Sequence, residues 1–363
     1  FGATFGQEYN FGRPGISIDR YANPDIGWEV SEQFNIGIDI GLWRDLNFTA
    51  EIYQQNRTNI LQRRTEIGDV IGLTANPQVN FAELESKGID LSLDYNRQIN
   101  QEWWTQARAT LTFATNEVVQ TNELNYPDEL GYLSQVGNNA SQMYGYIAER
   151  LFTDQEEVNN SPTQFGNYTG GDIKYRDVNG DGVITSLDRV PIGLPTTPEL
   201  IYGFGGTVGY KDFDLSVFFQ GSARSSFQIN SAAISPFVLG TGNQLGQQNG
   251  LLKLIADSYW SEDNRDSYAF WPRLSPNVVE NNAQSSSWWL QNNDFLRLKN
   301  VEIGYRASEK LVDALGIRSL RIYASGINLA VWSSFDLWDP EMGGNGLGYP
   351  IQTAYNLGLQ FDF

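Results

Sequence analysis

The feature that most limits what this chain can become is a residue-by-residue alternation, repeated in separate stretches whose connections are short and long by turns. In "FNIGIDIGL", Phe34, Ile36, Ile38, Ile40 and Leu42 share one face of an extended strand, and Asn35, Gly37, Asp39 and Gly41 share the other. "GIDLSLDYN" sets Ile89, Leu91, Leu93 and Tyr95 against Asp90, Ser92 and Asp94. "ARATLTF" sets Ala107, Ala109, Leu111 and Phe113 against Arg108, Thr110 and Thr112. The closing "YNLGLQFDF" sets Tyr355, Leu357, Leu359, Phe361 and Phe363 against Asn356, Gly358, Gln360 and Asp362. Further strands are predicted near 46–55, 200–210, 213–222, 295–306 and 318–329. The total is about nine, most of roughly 9–11 residues, the length that crosses a bilayer when tilted.

Alternation alone leaves two architectures open, a soluble β-sandwich and a membrane barrel. The connections separate them. Short ones fall at 43–45, 98–103 and 211–212, with a moderate one at 307–318, and long ones at 56–86, 117–199, 223–294 and 330–354. Compact soluble domains rarely carry such long structureless loops. Barrels of the outer membrane have short turns on one side and long loops on the other as a rule. The fold class predicted is therefore all-β, a transmembrane antiparallel β-barrel with long extracellular loops. The first and last strands run in the same direction, so their number is odd and the segment does not close as an even-stranded barrel. It reads as the C-terminal part of a larger barrel, with signal peptide, plug and early strands outside it. Trp43, Trp103 and Trp104 stand at short turns, where an interfacial aromatic girdle belongs; packing in a sandwich core is the other reading.

Composition removes several chemistries. Among 363 residues there is no Cys and no His, so thiolate catalysis, disulfides and most zinc sites and hydrolase triads are unavailable. The net charge of -19, with no basic run, argues against nucleic acid as a partner. No stretch of about 18 apolar residues offers a transmembrane helix. The start at Phe1 shows no signal-peptide pattern.

"DVNGDGVITSLD" (177–188) has the ligand spacing of a calcium loop. Asp177, Asn179 and Asp181 fall at positions 1, 3 and 5, and Gly182 falls at the sharp turn. Val183 would offer its carbonyl at position 7, and Asp188 stands at position 12 in place of the usual Glu. Gly and Pro on both flanks exclude the helices of an EF-hand. Two readings stand: a surface loop stiffened by Ca²⁺, or an Asp/Asn/Gly turn held by its own side-chain-to-backbone bonds.

Several stretches, in family order across most of the chain, resemble the SusC/RagA family of TonB-dependent outer-membrane transporters of the Bacteroidetes. They are "NPDIGWEVSEQFNIGIDIG" (23–41), "GDIKYRDVNGDGVITSLDRVPIG" (171–193), "YKDFDLSVFFQGS" (210–222), "NNDFLRLKNVEIGY" (292–305), "RIYASGINLAVWSSFDLWDPE" (321–341) and the terminal "YPIQTAYNLGLQFDF". Where the family often has a Pro-Arg pair before its last strand, this chain has Gln352 and Thr353. The resemblance implies a 22-stranded barrel in the cell outer membrane around an N-terminal plug, energised through a TonB box. It also implies a SusD-like lipoprotein partner and import of oligosaccharides or peptides, with no enzymatic activity. Asn35, Asp39, Asp90, Asp94, Arg108 and Gln220 would then face the lumen.

Other candidates are weaker. Asp154, Glu156 and Glu157 could suggest glycosidase carboxylates, but nearness in sequence is not the required spacing across a sugar, and a solvated acidic loop is the plainer reading. "GGNGLG" (343–348) lacks the strand and helix of a phosphate loop. Trp260, Trp271, Trp288, Trp289, Trp332 and Trp338 lie in loops or at strand junctions, where they would stack on a substrate, meet a lid protein, or pack among themselves. The alternating Tyr355, Leu357, Leu359, Phe361 and Phe363 form the terminal aromatic signal read by the barrel-assembly machinery. The competing whole-chain reading is an acidic, calcium-stabilised β-sandwich adhesin.

Overall fold

A computed structural model describes residues 2–5, 11–14, 18–64, 66–237 and 249–363. Nine long strands carry the fold: β1 Val30–Leu42, β2 Leu46–Arg63, β3 Gln78–Gln98, β4 Trp103–Gln120, β5 Leu200–Tyr210, β6 Phe213–Ala223, β7 Phe295–Arg306, β8 Ser319–Ser333 and β9 Ala354–Asp362. They form one sheet in unbroken chain order, with β1 and β9 at its edges. The short turns fall where alternation breaks, and the 307–318 connection carries a helix, Glu309–Leu315.

Three strands are longer than expected. β2, β3 and β4 run for 18, 21 and 18 residues, so much of 56–86 is strand rather than loop. The extensions are polar ("QQNRTNILQR", "QVNFAELES"), which hides them from a search for an apolar face. At about 3.3 Å per residue such strands reach well past a hydrocarbon core of roughly 30 Å.

The chain divides into two compact units. One comprises residues 1–34, 53–87 and 116–140, the other 35–52, 88–115 and 141–363. Side-chain bonds tie the first together: Arg57 to Glu29 at 2.6 Å, Gln55 to Ser31 at 2.6 Å and Gln54 to Glu85 at 3.2 Å.

In the second unit the antiparallel register sorts side chains into two faces. Val208, Leu215, Ile303, Ala324 and Leu357 stand in one cross-strand row. The next row, on the opposite face, is Thr207, Ser216, Glu302, Ser325 and Asn356. The apolar face is uncovered: Leu215 is 47 % exposed, Ile303 53 % and Leu357 81 %. A sandwich would bury that face against a second sheet. This sheet does not, so the adhesin reading falls.

The buried core lies instead in the connections between strands. Tyr146, Leu151, Ile173, Tyr175, Ile184 and Phe227, with Trp260, Trp271 and Trp289, form one cluster. Three two-stranded ribbons frame it: Met143–Gly145 with Val190–Ile192, Ala148–Leu151 with Ile173–Tyr175, and Ser226–Gln228 with Leu290–Asn292. The long loops thus build a folded loop domain.

β7 carries a bulge. Phe218 pairs with Asn300 but Phe219 pairs with Leu298, and on the other side Asn300 pairs with Ile327 but Leu298 with Ala330. Lys299 is the extra residue, which shifts the alternation by one. Val301, Ile303 and Tyr305 on one side of it, and Leu296 and Leu298 on the other, therefore share the apolar face. Arg297 is sent to the polar face.

Candidate functional site

The polar face is a set of cross-strand bonds. Asn35 donates to Glu51 at 3.1 Å, Thr49 to Asp39 at 2.7 Å and Arg108 to Asp94 at 2.6 Å. Asp90 follows the same alternation as Asp94, and Gln220 stands opposite Arg297. Near the short turns, Arg321 donates to Asp214 at 2.6 Å and to Glu302 at 2.8 Å, joining three strands. Sequence reading missed this triad. Its signal is present, since each member occupies a polar slot in an alternating strand. An open recess on this face is lined by Asp94, Asn96, Gln106, Arg108, Thr207 and Ser216. The face can accept and donate hydrogen bonds over a wide area.

Aromatic rings edge the apolar face at the short turns. Trp103 lies 4.4 Å from Tyr210 and Phe213 lies 4.9 Å from Tyr305, ring centre to ring centre. Trp43 is exposed at its turn. Trp104 departs from the girdle reading, because neighbours in a strand point to opposite faces. Its ring lies on the polar face over Gly209, where any Cβ would meet the indole 2.0 Å away.

The loop-domain tryptophans pack in or against one buried cluster. Trp260, Trp271 and Trp289 are buried, and Trp288 and Trp338 pack against the same cluster. The cavity between Trp271, Trp289, Arg273 and Asn282 is about 20 Å³, room for one water and not for a sugar ring. Trp332 is different: it is 52 % exposed in β8, on the apolar face.

Charged groups in this domain are also committed. Asp172 is fully buried, bonded to Asn282 at 2.8 Å and paired with Arg273 at 3.0 Å. Burial pushes its carboxyl above the ordinary range, against the pull of Arg273 and Asn282. Asp154 caps the helix Gln155–Asn159 by accepting from the Glu157 amide. Burial would raise Glu157 too, yet the bonds from Arg150, the Thr153 amide and Lys174 outweigh it and hold the carboxyl at about 2. These acids brace a loop.

The loop 177–188 sits between the strand Ile173–Tyr175 and the strand Val190–Ile192. Asp177 accepts from the amides of Gly180 and Gly182 at 2.7 and 2.8 Å, and Asp181 accepts from Val183 at 2.8 Å. Asn179 accepts from the Asp181 amide at 3.0 Å. Gly182 takes the left-handed turn its position requires, with φ of 86°. Asp188 is fully buried and accepts from Val178, Asn179 and Thr185 at 2.8, 3.3 and 2.7 Å. The loop's side-chain oxygens thus accept a set of its own backbone amides. Among the described residues no three acidic side chains converge as a metal cluster.

One apolar uncovered face, one polar bonded face and an aromatic edge define a stretch of membrane β-barrel wall bearing a folded loop domain. Residues 1–329 match the family model "TonB dependent receptor-like, beta-barrel", and the chain belongs to that family of outer-membrane barrels. TonB-dependent receptor P26 of Formosa agariphila is 26% identical over 371 residues, covering 96% of this chain and 36% of the relative. TonB-dependent receptor P3 of the same organism is 26% identical over 338 residues, covering 90% of this chain and 32% of the relative. The chain therefore spans about a third of the length of these relatives. Among solved structures, the RagAB peptide transporter matches with a TM-score of 0.71 at 21% identity, over 100% of this chain and 38% of that one. The RagAB peptide importer in its "open-open" state matches at 0.70 and 22%, over 100% of this chain and 37% of that one. The SusC/RagA resemblance and the barrel fold class both stand.

Proposed function

We propose that this chain is the C-terminal barrel portion of a TonB-dependent importer in the outer membrane, one that takes up oligosaccharides or peptides. The observation that carries the reading is the division of the sheet into an uncovered apolar face and a hydrogen-bonding face. The first suits lipid, and the second suits a lumen filled by a plug or crossed by a polar solute. The names and titles of the relatives, receptors dependent on TonB and a peptide importer, support import and the peptide class. In this proposal TonB acts through a region upstream of this chain. A SusD-like lipoprotein meets the loop domain, and the terminal Tyr355 to Phe363 series recruits the barrel-assembly machinery.

The test is uptake of fluorescent peptides and oligosaccharides by cells expressing the full-length protein, with and without a protonophore. Uptake that needs both the protein and the proton gradient is the expected result. Uptake equal to that of a deletion strain for every solute would overturn the import reading.

Calcium in the 177–188 loop is a proposal of the same kind. The oxygens of Asp177, Asn179, Asp181, Asp188 and the Val183 carbonyl support it through their spacing, and the amide bonds described above would hold them in place. Titrating Ca²⁺ into the chelator-treated protein should slow amide exchange across 177–188. Identical exchange with millimolar Ca²⁺ and with chelator would rule it out.

A further inference from the structure

We propose that residues 334–344 form a strap that locks the loop domain to the barrel wall, with Arg297 as its anchor. Two sequence stretches that stand far apart, 292–305 and 321–341, meet here. Arg297 is only 3 % exposed, and its Nη2 lies 2.6 and 2.8 Å from the two oxygens of Asp339. Its Nε is 2.7 Å from Glu341, close enough for an ion pair but without hydrogen-bond alignment. The guanidinium also stands 5.6 Å from the centre of the Phe295 ring. Asp339 does double duty, accepting from the Glu341 amide at 3.0 Å to cap the short helix Pro340–Met342.

The same segment grips the loop domain on its other side. Phe335 is buried, meeting Phe227 edge-on at 5.0 Å and Trp338 at 4.9 Å. The Asn230 amide donates to the Gly344 carbonyl at 3.0 Å. Beyond the strap, the Asn328 side chain donates to the Gln352 carbonyl at 3.0 Å, and Thr353 donates back to the Asn328 carbonyl at 2.8 Å. Asn328, with φ of 54°, belongs to the bulge on β8 that accompanies Lys299. Of the two residues that depart from the family pattern, Thr353 contributes its hydroxyl and Gln352 its backbone carbonyl to this contact.

A buried guanidinium cannot lose both carboxylates without standing as an uncompensated charge. The strap therefore does not fray residue by residue; it holds or releases as a unit, and the loop domain follows. The bulge makes this possible, since alternation unbroken through Lys299 would put Arg297 on the apolar face. This inference does not depend on what the protein transports.

The experiment is hydrogen–deuterium exchange of the full-length protein in detergent, comparing wild type with Arg297→Met, Arg297→Lys and the double variant Asp339→Asn/Glu341→Gln. Exchange at 335–344 should rise at least about tenfold in Arg297→Met and in the double variant, and less in Arg297→Lys. Exchange at Asn230 should rise with it, because its amide is bonded to the strap carbonyl of Gly344. Faster exchange at 335–344 with none at Asn230 would show a local salt bridge only and overturn the proposal, as would no change at either. Should Arg297→Met fail to give a heat-modifiable barrel, Phe335→Ala cuts the opposite grip. Wild-type exchange at 335–344 in that variant would equally overturn the strap.

Discussion

Glu157 and Asp172 show how differently two carboxylates in one loop domain respond to burial. Both are pushed upward by desolvation; Glu157 is then pulled down to about 2 by Arg150, Thr153 and Lys174, whereas Asp172 stays raised. For Glu157 the folded value lies below the ordinary 4.5, so its stabilisation is complete above about pH 4.5 and is lost as pH falls toward 2. Asp172 works in the opposite sense, its protonation favouring the folded state as pH drops. Comparing wild type with Glu157→Gln isolates the first effect. The variant should lack a loss on the order of 1–3 kcal/mol between pH 4.5 and 2, read by exchange in residues 148–175. Parallel pH curves would contradict the assignment. Asp188→Ala strands three amide donors, which costs about 1–3 kcal/mol and should raise exchange across 176–189. At this scale the sequence was informative about residue types and silent about partners. The spacing of Asp177, Asn179, Asp181 and Asp188 was plain, but that Asp188 is buried under three amides follows from the path of the surrounding chain. The tryptophans were visible as a group, yet only tertiary packing decides that five of them lie in or against a core.

Among the elements, the nine strands and their short turns were legible because period-two alternation is a local property. The polar extensions of β2, β3 and β4 were not, since a strand with two polar faces has no pattern that separates it from loop. The bulge in β7 occupies a middle position. The apolar residues of "FLRLKNVEIGY" fall at 296 and 298, then at 301, 303 and 305, a change of phase that marks an inserted residue. Deleting Lys299 removes the extra residue and leaves a single phase, in which Leu296, Leu298 and Val301 still share the apolar face and Arg297 still faces the polar side. The expected result is near-normal heat-modifiable barrel from this deletion. Leu298→Arg, by contrast, puts a charge on the apolar face, where it costs about 2–4 kcal/mol at mid-membrane depth, and should assemble poorly. Equal assembly of the two would contradict the assignment of faces on either side of the bulge. Gly209 gives a smaller case of the same kind: a Cβ there collides with Trp104, so Gly209→Val should impair assembly more than Thr207→Val on the same face of the same strand.

For the whole molecule, the decisive quantity is which surface meets lipid. The fold class was readable from the order of short and long connections, because loop length reports on the side of the membrane a turn occupies. What could not be read is that the long loops form a domain with its own buried core, since its ribbons are three or four residues long and its contacts join distant segments. In the barrel proposed, Phe213, Leu215, Val217 and Phe219 of β6 face hydrocarbon while Asp214, Ser216, Phe218 and Gln220 face the lumen. The direct measurement is a nitroxide scan of β6 in the full-length protein reconstituted in bilayers, reading accessibility to oxygen and to a water-soluble nickel complex at each position. The expected result is a period of two, with oxygen favoured at the odd positions from 213 to 219 and protection from both reagents, or access to nickel, at the even ones. Equal access to nickel at odd and even positions would mean that the apolar face is not in the membrane, and would contradict the barrel.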